Sequence, residues 1–222
     1  SGGRRYRTCA RAWDALAPSF PEYRRRLNGD IADDIDGQAV EGAARFLVPE
    51  EGQRSPFHPR GKLVIYGYSG GGFNAMNLCR RMTARFSWYD FATGRLVGRN
   101  DGPDRSRFAP ARVDLLITVD PCRVLADPSG RDMAAGANKR TPAGVVLKHF
   151  NYYQEEDDEF RGVWIERAGP RIHIWNRKIE PSSLTHPGRG GPHEWMPVVT
   201  LDRVREKIAG SGVRLQAAVP PT

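Results

Sequence analysis

Cysteines and long apolar runs are both scarce in this sequence, and each shortage excludes a class of protein. The 222 residues include three cysteines, Cys9, Cys79 and Cys122. An odd number without metal-type spacing allows at most one disulfide and offers no zinc site. No apolar run approaches the ~18 residues that a membrane-spanning helix needs. Together with a mean hydropathy of −0.57, this favours a soluble globular protein over a membrane protein.

Acidic residues are in the minority, so the chain carries a net positive charge. It has 34 basic and 26 acidic residues, for a net charge of +8, which favours contact with an anionic membrane surface or an acidic partner. The basic residues are mostly scattered arginines, so nucleic acid is not an expected partner. The sequence identifies no protein partner.

The opening SGGRRYRT lacks the apolar core of a signal peptide, but a processed chain would lack it too. The sequence therefore does not indicate the compartment.

The most informative stretch joins an apolar run to a glycine-rich turn and then to a helical pattern. Residues 63–66 are β-prone and apolar and predict a buried strand. The next five, Gly67 to Gly71, have the G-x-S-x-G spacing in which a serine, here Ser69, is held on a sharp strand-to-helix turn. Glycines at both ends of this motif are expected because side chains there would clash where strand and helix come close. We expect the helix at about residues 72–86, with its N-terminal N–H groups near Ser69.

The same glycines allow two other interpretations. Residues 70–75 fit the loose dinucleotide pattern G-x-G-x-x-G/A, but no second strand ending in an acidic residue follows about 20 residues later. A Walker-type phosphate loop would end in G-K-[S/T], whereas Gly72 is followed by Phe73 and Asn74. A phosphate-binding loop and a purely structural turn remain the alternatives.

In this context, residues 63–77 resemble the nucleophile elbow of the α/β-hydrolase fold, which lipases, esterases and thioesterases share. The resemblance extends to about residues 61–208 through the order of the segments. This order is similar to that of lipase-like bacterial hydrolases: VDLLITVDP comes first, NYYQ follows, and a glycine-rich loop with a late histidine comes last. It implies a single α/β domain over residues 1–222, with a mostly parallel sheet flanked by helices in a compact three-layer sandwich. The N-terminal strands are reduced or missing, because the residues before Gly61 offer at most one weak strand. The resemblance implies no cofactor and no metal.

In that fold the base comes from a late loop before the last helix, in the chain order serine, acid, histidine. His193 meets this description and is the expected base, with His186 as the alternative. His58 is expected to be structural, and His173 is a weaker candidate because it alternates with isoleucines in a strand-like segment.

The expected acid is Asp120, which ends a second apolar strand at residues 113–119, where parallel sheets build their sites. Glu166 and Glu180 are alternatives, and Asp120 could instead simply form an Asp-Pro turn. The N–H of Gly70 is the natural first donor to an oxyanion. Tyr68, on the other side of the serine, is expected to contact the oxyanion or the substrate.

Patterns elsewhere predict further elements of the domain. They indicate helices at residues 6–16, 31–47 and 200–209, and a helix or helix-to-loop transition at 143–153. They also indicate a hairpin at 86–98 that can act as a lid, and a hairpin or strand pair at 163–166 and 171–175. A polar loop is expected at 100–110 and a glycine-rich loop at 182–191.

The expected function is hydrolysis of a carboxylic ester through an acyl-enzyme on Ser69. Aromatic residues near the elbow and in the hairpin, with the net positive charge, favour a lipid or phospholipid ester. The rival interpretation is a non-catalytic binding module that keeps a hydrolase scaffold. A phosphate- or nucleotide-binding domain is the third.

Overall fold

The computed structural model describes residues 38–50, 52–53, 62–84, 88–90, 93, 95–97, 108–110, 112–122, 140, 145–157, 160–167, 169–170, 172–180 and 191–212. The helix expected at residues 6–16, the loop at 182–190, Cys9, His58 and His186 lie outside these residues. Within them, no helix has both the length and the apolar character that crossing a membrane requires.

A helix, a strand and a second helix open the described chain, six strands follow, and a third helix closes it. In chain order the elements are α1 (Gln38–Leu47), β1 (Val64–Tyr68), α2 (Gly70–Ala84), β2 (Trp88–Asp90), β3 (Leu96–Val97), β4 (Phe108–Pro110), β5 (Leu115–Val119), β6 (Lys148–Tyr153), β7 (His173–Lys178) and α3 (Pro192–Gly210). Strands β1, β5, β6 and β7 form one sheet in that order, and every neighbouring pair is parallel. The chain is therefore of the α/β class, as predicted.

Helices cover both faces of the parallel sheet. Leu116 of β5 packs with α1 and α2 in one buried cluster, which includes Met76 and Met82. Its neighbours Leu115 and Ile117 pack with α3 in a second cluster. Because successive strand side chains point to opposite faces, these clusters lie on the two sides of the sheet. Burying each large apolar side chain contributes roughly 1.5–3 kcal/mol, so the sheet is held between two apolar layers.

A second, smaller sheet lies between α2 and β5 in the chain. Its strand β2 pairs antiparallel with both β3 and β4. The hairpin predicted at residues 86–98 is confirmed by the β2–β3 pair. The prediction of a polar loop over residues 100–110 is wrong at its end, because β4 supplies the third strand.

The helix or helix-to-loop transition predicted at residues 143–153 is wrong, because this segment contains β6, which pairs with strands on both sides. The prediction of a hairpin or strand pair from residues 163–166 and 171–175 is right that the second segment contains a strand, which is β7, but wrong about its partner, since β7 pairs in parallel with β6. Strand β6 was not predicted because it buries His149 and Asn151. Two polar residues at buried positions interrupt the apolar pattern that would indicate a strand.

The last helix starts well before its predicted beginning. It begins at Pro192 rather than at residue 200, and it contains Pro197 in its interior. A proline is tolerated in the first helical turn, where its missing N–H has no partner to lose, but disfavoured further inside. The prediction that His193 lies in a loop before this helix is therefore wrong, because it lies in the first turn of α3.

Candidate active site

Two neighbouring strands end at the same level and deliver Ser69 and Asp120 side by side. Tyr68, the last residue of β1, pairs with Val119, the last residue of β5. The parallel ladder continues one residue further: Ser69 N–H donates to Val119 O at 3.0 Å, and Asp120 N–H donates to Tyr152 O at 2.7 Å. The carboxyl edge of the sheet therefore fixes both residues by main-chain hydrogen bonds before any side-chain contact.

Both of these residues have a left-handed backbone. The φ angle is 57° at Ser69 and 47° at Asp120, a region that costs residues with a side chain on the order of 1–2 kcal/mol. Such backbone strain concentrates at functional sites, where surrounding structure holds it in place. Here the flanking strand and α2 enforce the turn.

The expected crowding around the turn holds at one end of the motif and not at the other. A Cβ at Gly67 would lie 2.3 Å from the carbonyl oxygen of Gly71, so no side chain fits there. A Cβ at Gly71 would meet no atom of the described residues within 4 Å, whereas one at Gly72 would lie 2.9 Å from Cβ of Pro121. The prediction for Gly71 is wrong because α2 begins at Gly70, earlier than expected, which makes Gly72 the close position.

A chain of hydrogen bonds links the serine, the histidine and the aspartate. Ser69 Oγ lies 2.9 Å from Nε2 of His193, and His193 Nδ1 lies 2.6 Å from Oδ2 of Asp120. The carboxylate can only accept, so Nδ1 carries the proton and Nε2 is free to accept from the serine hydroxyl. Asp120 is fully buried and His193 is nearly so. The three residues thus form one connected unit in which the serine is the more exposed end.

Gln154, directly after β6, also holds the carboxylate of Asp120. Its backbone N–H donates to Oδ1 at 3.0 Å and its Nε2 donates to Oδ2 at 2.9 Å. The same amide donates to Phe160 O and accepts from the N–H groups of Glu156 and Asp157. All four hydrogen-bonding positions of the Gln154 amide are therefore used, and the loop after β6 is tied to the acid.

Close packing completes the surroundings of the carboxylate. A Cβ at Gly162 would lie 1.8 Å from Oδ1 of Asp120, so only glycine fits at that position. No pattern in the sequence pointed to Gly162, and Gln154 was noticed only as part of NYYQ. Both residues act through contacts between segments that are distant in the chain.

The imidazole of His193 lies between aromatic neighbours and a charge. Rings of Tyr68 and Phe160 stack on it, with centroids at 5.0 and 5.3 Å. Burial by itself lowers the pKa of His193, because an imidazolium loses hydration inside the protein. The hydrogen bonds and charges of Asp120 and Cys122 outweigh burial, so the pKa is raised above its ordinary value of 6.5. The site therefore favours the protonated imidazole that proton transfer from Ser69 would create.

Gly70 and Tyr68 flank the serine but lie in different surroundings. Gly70 is the first residue of α2, so its N–H has no acceptor earlier in the helix and remains the expected oxyanion donor. The Tyr68 hydroxyl instead donates to the backbone oxygen of His193 at 2.9 Å. Tyr68 is thus placed against the histidine.

Cys122 is a site neighbour that the sequence reasoning did not select. Its Sγ lies 3.5 Å from Ser69 Oγ and 3.8 Å from His193 Nε2. Both distances exceed the 2.9 Å between the serine and the histidine, so the serine hydroxyl is the closer partner of the base. The sequence feature that could have selected Cys122 is its position two residues after Asp120, at the same strand end.

The alternative site residues lie elsewhere. Glu166 forms an exposed ion pair with Arg140 at 3.2 Å, Glu180 is exposed after β7, and His173 is exposed on β7, where it stacks on Trp175. No group of three or more histidine, cysteine or acidic residues in the described part of the chain could hold a metal ion.

Comparisons of the chain with protein-family models, with curated proteins and with solved structures found no match. Any function must therefore be inferred from the residues and geometry of the site itself.

Proposed function

We propose that this protein is a serine hydrolase that cleaves a carboxylic ester through an acyl-enzyme on Ser69. The observation that supports this most directly is the hydrogen-bond chain from Ser69 through His193 to Asp120, with distances of 2.9 and 2.6 Å. A nucleophile in contact with a base, and a base oriented by a third group, is the arrangement that activates a serine hydroxyl.

In the acylation step, Ser69 Oγ attacks the ester carbonyl carbon while Nε2 of His193 takes the hydroxyl proton. The electron pair of the C=O bond moves to its oxygen, and the N–H of Gly70 donates to the resulting oxyanion. Asp120 stabilises the imidazolium through the Nδ1–H bond. When the tetrahedral intermediate collapses, the bond to the alcohol oxygen breaks and His193 returns the proton to that oxygen.

In the deacylation step, water takes the place of the alcohol. His193 removes a proton from the water, the water oxygen attacks the acyl carbon, and the bond to Ser69 Oγ breaks as the proton returns to the serine. The raised pKa of His193 helps the imidazole hold the proton between these events. No part of this cycle requires a cofactor or a metal ion.

For the fold, we propose the compact α/β-hydrolase-like three-layer sandwich that the elbow motif implies. Its support is the parallel order β1-β5-β6-β7, the helices on both faces, and the serine between β1 and α2. The single domain over residues 1–222 belongs to the same proposal.

For the substrate, we propose a lipid or phospholipid ester met at an anionic membrane surface. The net charge of +8 supports attraction to such a surface, and the aromatic residues in the sequence of the hairpin favour an apolar acyl chain. A panel of short and long acyl esters, presented with anionic and with neutral vesicles, tests this. Turnover limited to short esters, or equal on both vesicles, would contradict it.

Reaction with a fluorophosphonate tests the hydrolase proposal itself. We expect intact-mass analysis to find one adduct on the wild type and none on Ser69→Ala or His193→Ala. His173→Ala is the matched control, because it removes an exposed histidine at the opposite, amino-terminal edge of the parallel sheet, and it should label like the wild type. A wild type that forms no adduct would favour the non-catalytic binding module, and stabilisation by nucleotide without labelling would favour the phosphate-binding interpretation.

A further inference from the structure

The carbonyl oxygen of His193 has lost its ordinary partner inside α3. In an α-helix this oxygen accepts the N–H of the residue four positions later. For His193 that residue is Pro197, which lies inside the helix and has no N–H. The proline ring also crowds the carbonyl four residues before it. Since His193 is buried, its carbonyl needs another donor.

Tyr68 provides that donor from the opposite side of the site. Its hydroxyl donates to His193 O at 2.9 Å, and its ring stacks on the imidazole at 5.0 Å with an interplanar angle of 24°. Tyr68 is also the last residue of β1, directly before Ser69. One side chain therefore joins the strand that carries the nucleophile to the helix that carries the base.

We propose that Tyr68 is a positioning residue for His193, and that Pro197 is what makes its hydroxyl necessary. The inference rests on the proposed hydrolase function, because it concerns where the base sits relative to Ser69. The hydrogen bond holds the first turn of α3 at a fixed distance from the end of β1. The stacked ring limits the tilt of the imidazole. Together they hold Nε2 at 2.9 Å from Ser69 Oγ.

A double-mutant cycle separates this role from simple packing. Tyr68→Phe keeps the ring and removes the hydroxyl, and we expect fluorophosphonate labelling to slow about tenfold, since small displacements of a base are costly in rate. In the Pro197→Ala background a helical N–H again reaches His193 O. There the same tyrosine substitution should change the labelling rate less than about twofold.

Tyr66→Phe is the matched control. Tyr66 lies two residues earlier on the same face of β1 and packs in the same apolar cluster as Tyr68. This variant removes a hydroxyl from that face, and its labelling rate should equal that of the wild type. Thermal unfolding of all variants checks that each is folded during labelling.

Two outcomes would overturn the inference. One is a Tyr68→Phe variant that labels as fast as Tyr66→Phe, and the other is an equal loss in the wild-type and Pro197→Ala backgrounds. If the wild type itself does not label, the hydrolase proposal fails, and the imidazole NMR signals of His193 then decide separately. Signals that shift in Tyr68→Phe and return in the double variant support the positioning role, and unchanged signals reject it.

Discussion

Two buried histidines in this protein have pKa values shifted in opposite directions. His193 faces the carboxylate of Asp120, and its pKa is raised. His149, the second residue of β6, is wholly buried, and burial lowers its pKa to about 3. Its Nε2 lies 2.8 Å from the Thr118 hydroxyl. Burial penalises the charged imidazole in both places, and only an anionic partner reverses the sign.

The two histidines belong to polar networks with different ends. The His193 network runs from buried Asp120 to the more exposed Ser69 hydroxyl. The His149 network stays inside the sheet. There the Thr118 hydroxyl donates to Asn151 Oδ1, so His149 Nε2 carries the proton and donates to Thr118, while Asn151 donates to Asn176 on the next strand. The proposed function uses the first network to pass a proton to a reactant, whereas the second network satisfies polar groups between strands.

The largest expected effect is on the labelling rate, and it should separate the two histidines when each is replaced in turn. His193→Ala should lower the fluorophosphonate labelling rate by about three orders of magnitude or more, because Ser69 loses its base. His149→Ala should leave that rate within about threefold and lower the free energy of unfolding by about 2–4 kcal/mol, through a cavity and lost hydrogen bonds. Urea unfolding and labelling kinetics measure the two effects. A folded His149→Ala variant that does not label would show that the networks are not separate.

Asp120→Asn tests the anionic end of the first network. The amide can still bond to Nδ1, but it favours the wrong tautomer and cannot stabilise an imidazolium. We expect a fall in labelling rate of roughly 10³–10⁴. The NMR-measured pKa of His193 should also drop below its wild-type value, because burial remains and the charge is gone. A pKa unchanged by the substitution would mean that Asp120 is not the cause of the shift.

The positions of these networks were only partly open to prediction from the sequence. Strands β1 and β5 were predicted because each includes an apolar run in the sequence, and Ser69 and Asp120, which follow these strands, could be selected from that. Strand β6 was missed because His149 and Asn151 interrupt its apolar pattern. Those side chains are satisfied by neighbouring strands, a contact that no local pattern encodes.

The same limit explains what was missed around the site. The last helix was expected only from residue 200, although it begins at Pro192 and the missing N–H of Pro197 is compensated by Tyr68 from β1. Gln154 and Cys122 carry no distinctive spacing, and their placement depends on how the loops after β5 and β6 fold over Asp120. Local signals therefore located the strand ends, while the supporting residues required the tertiary structure.

A smaller effect is expected from Gln154, which supports Asp120 without contacting a reactant. Gln154→Met keeps the volume and removes two donors and two acceptors from the loop after β6. We expect labelling to slow roughly tenfold as Asp120 loses its alignment. Thr118→Val is the matched change in the other network, and it should reduce stability by about 1–3 kcal/mol with labelling unchanged. Equal labelling by Gln154→Met and the wild type would show that the loop does not orient the acid.

The pH dependence of stability should have opposite signs for the two histidines. His149 has a folded pKa of about 3 against an ordinary 6.5, so the unfolded chain binds a proton first as the pH falls. Its contribution to stability is present above pH 6.5 and declines toward pH 3, by at most about 1.4 kcal/mol per pH unit. The raised pKa of His193 gives a contribution that is complete below pH 6.5 and is lost as the pH rises through its folded pKa.

Urea unfolding of the wild type and of His149→Gln across acidic pH separates these contributions. The glutamine amide can still donate to Thr118 but does not titrate, so the variant should lose less stability than the wild type between pH 6.5 and 4. Above pH 7 the two proteins should change in parallel, because His193 is present in both. If the two curves were instead parallel in acid, the pKa of His149 would be the same in the folded and unfolded chains. Burial without an anionic partner would then not keep a histidine neutral, and the distinction between the two networks would fail.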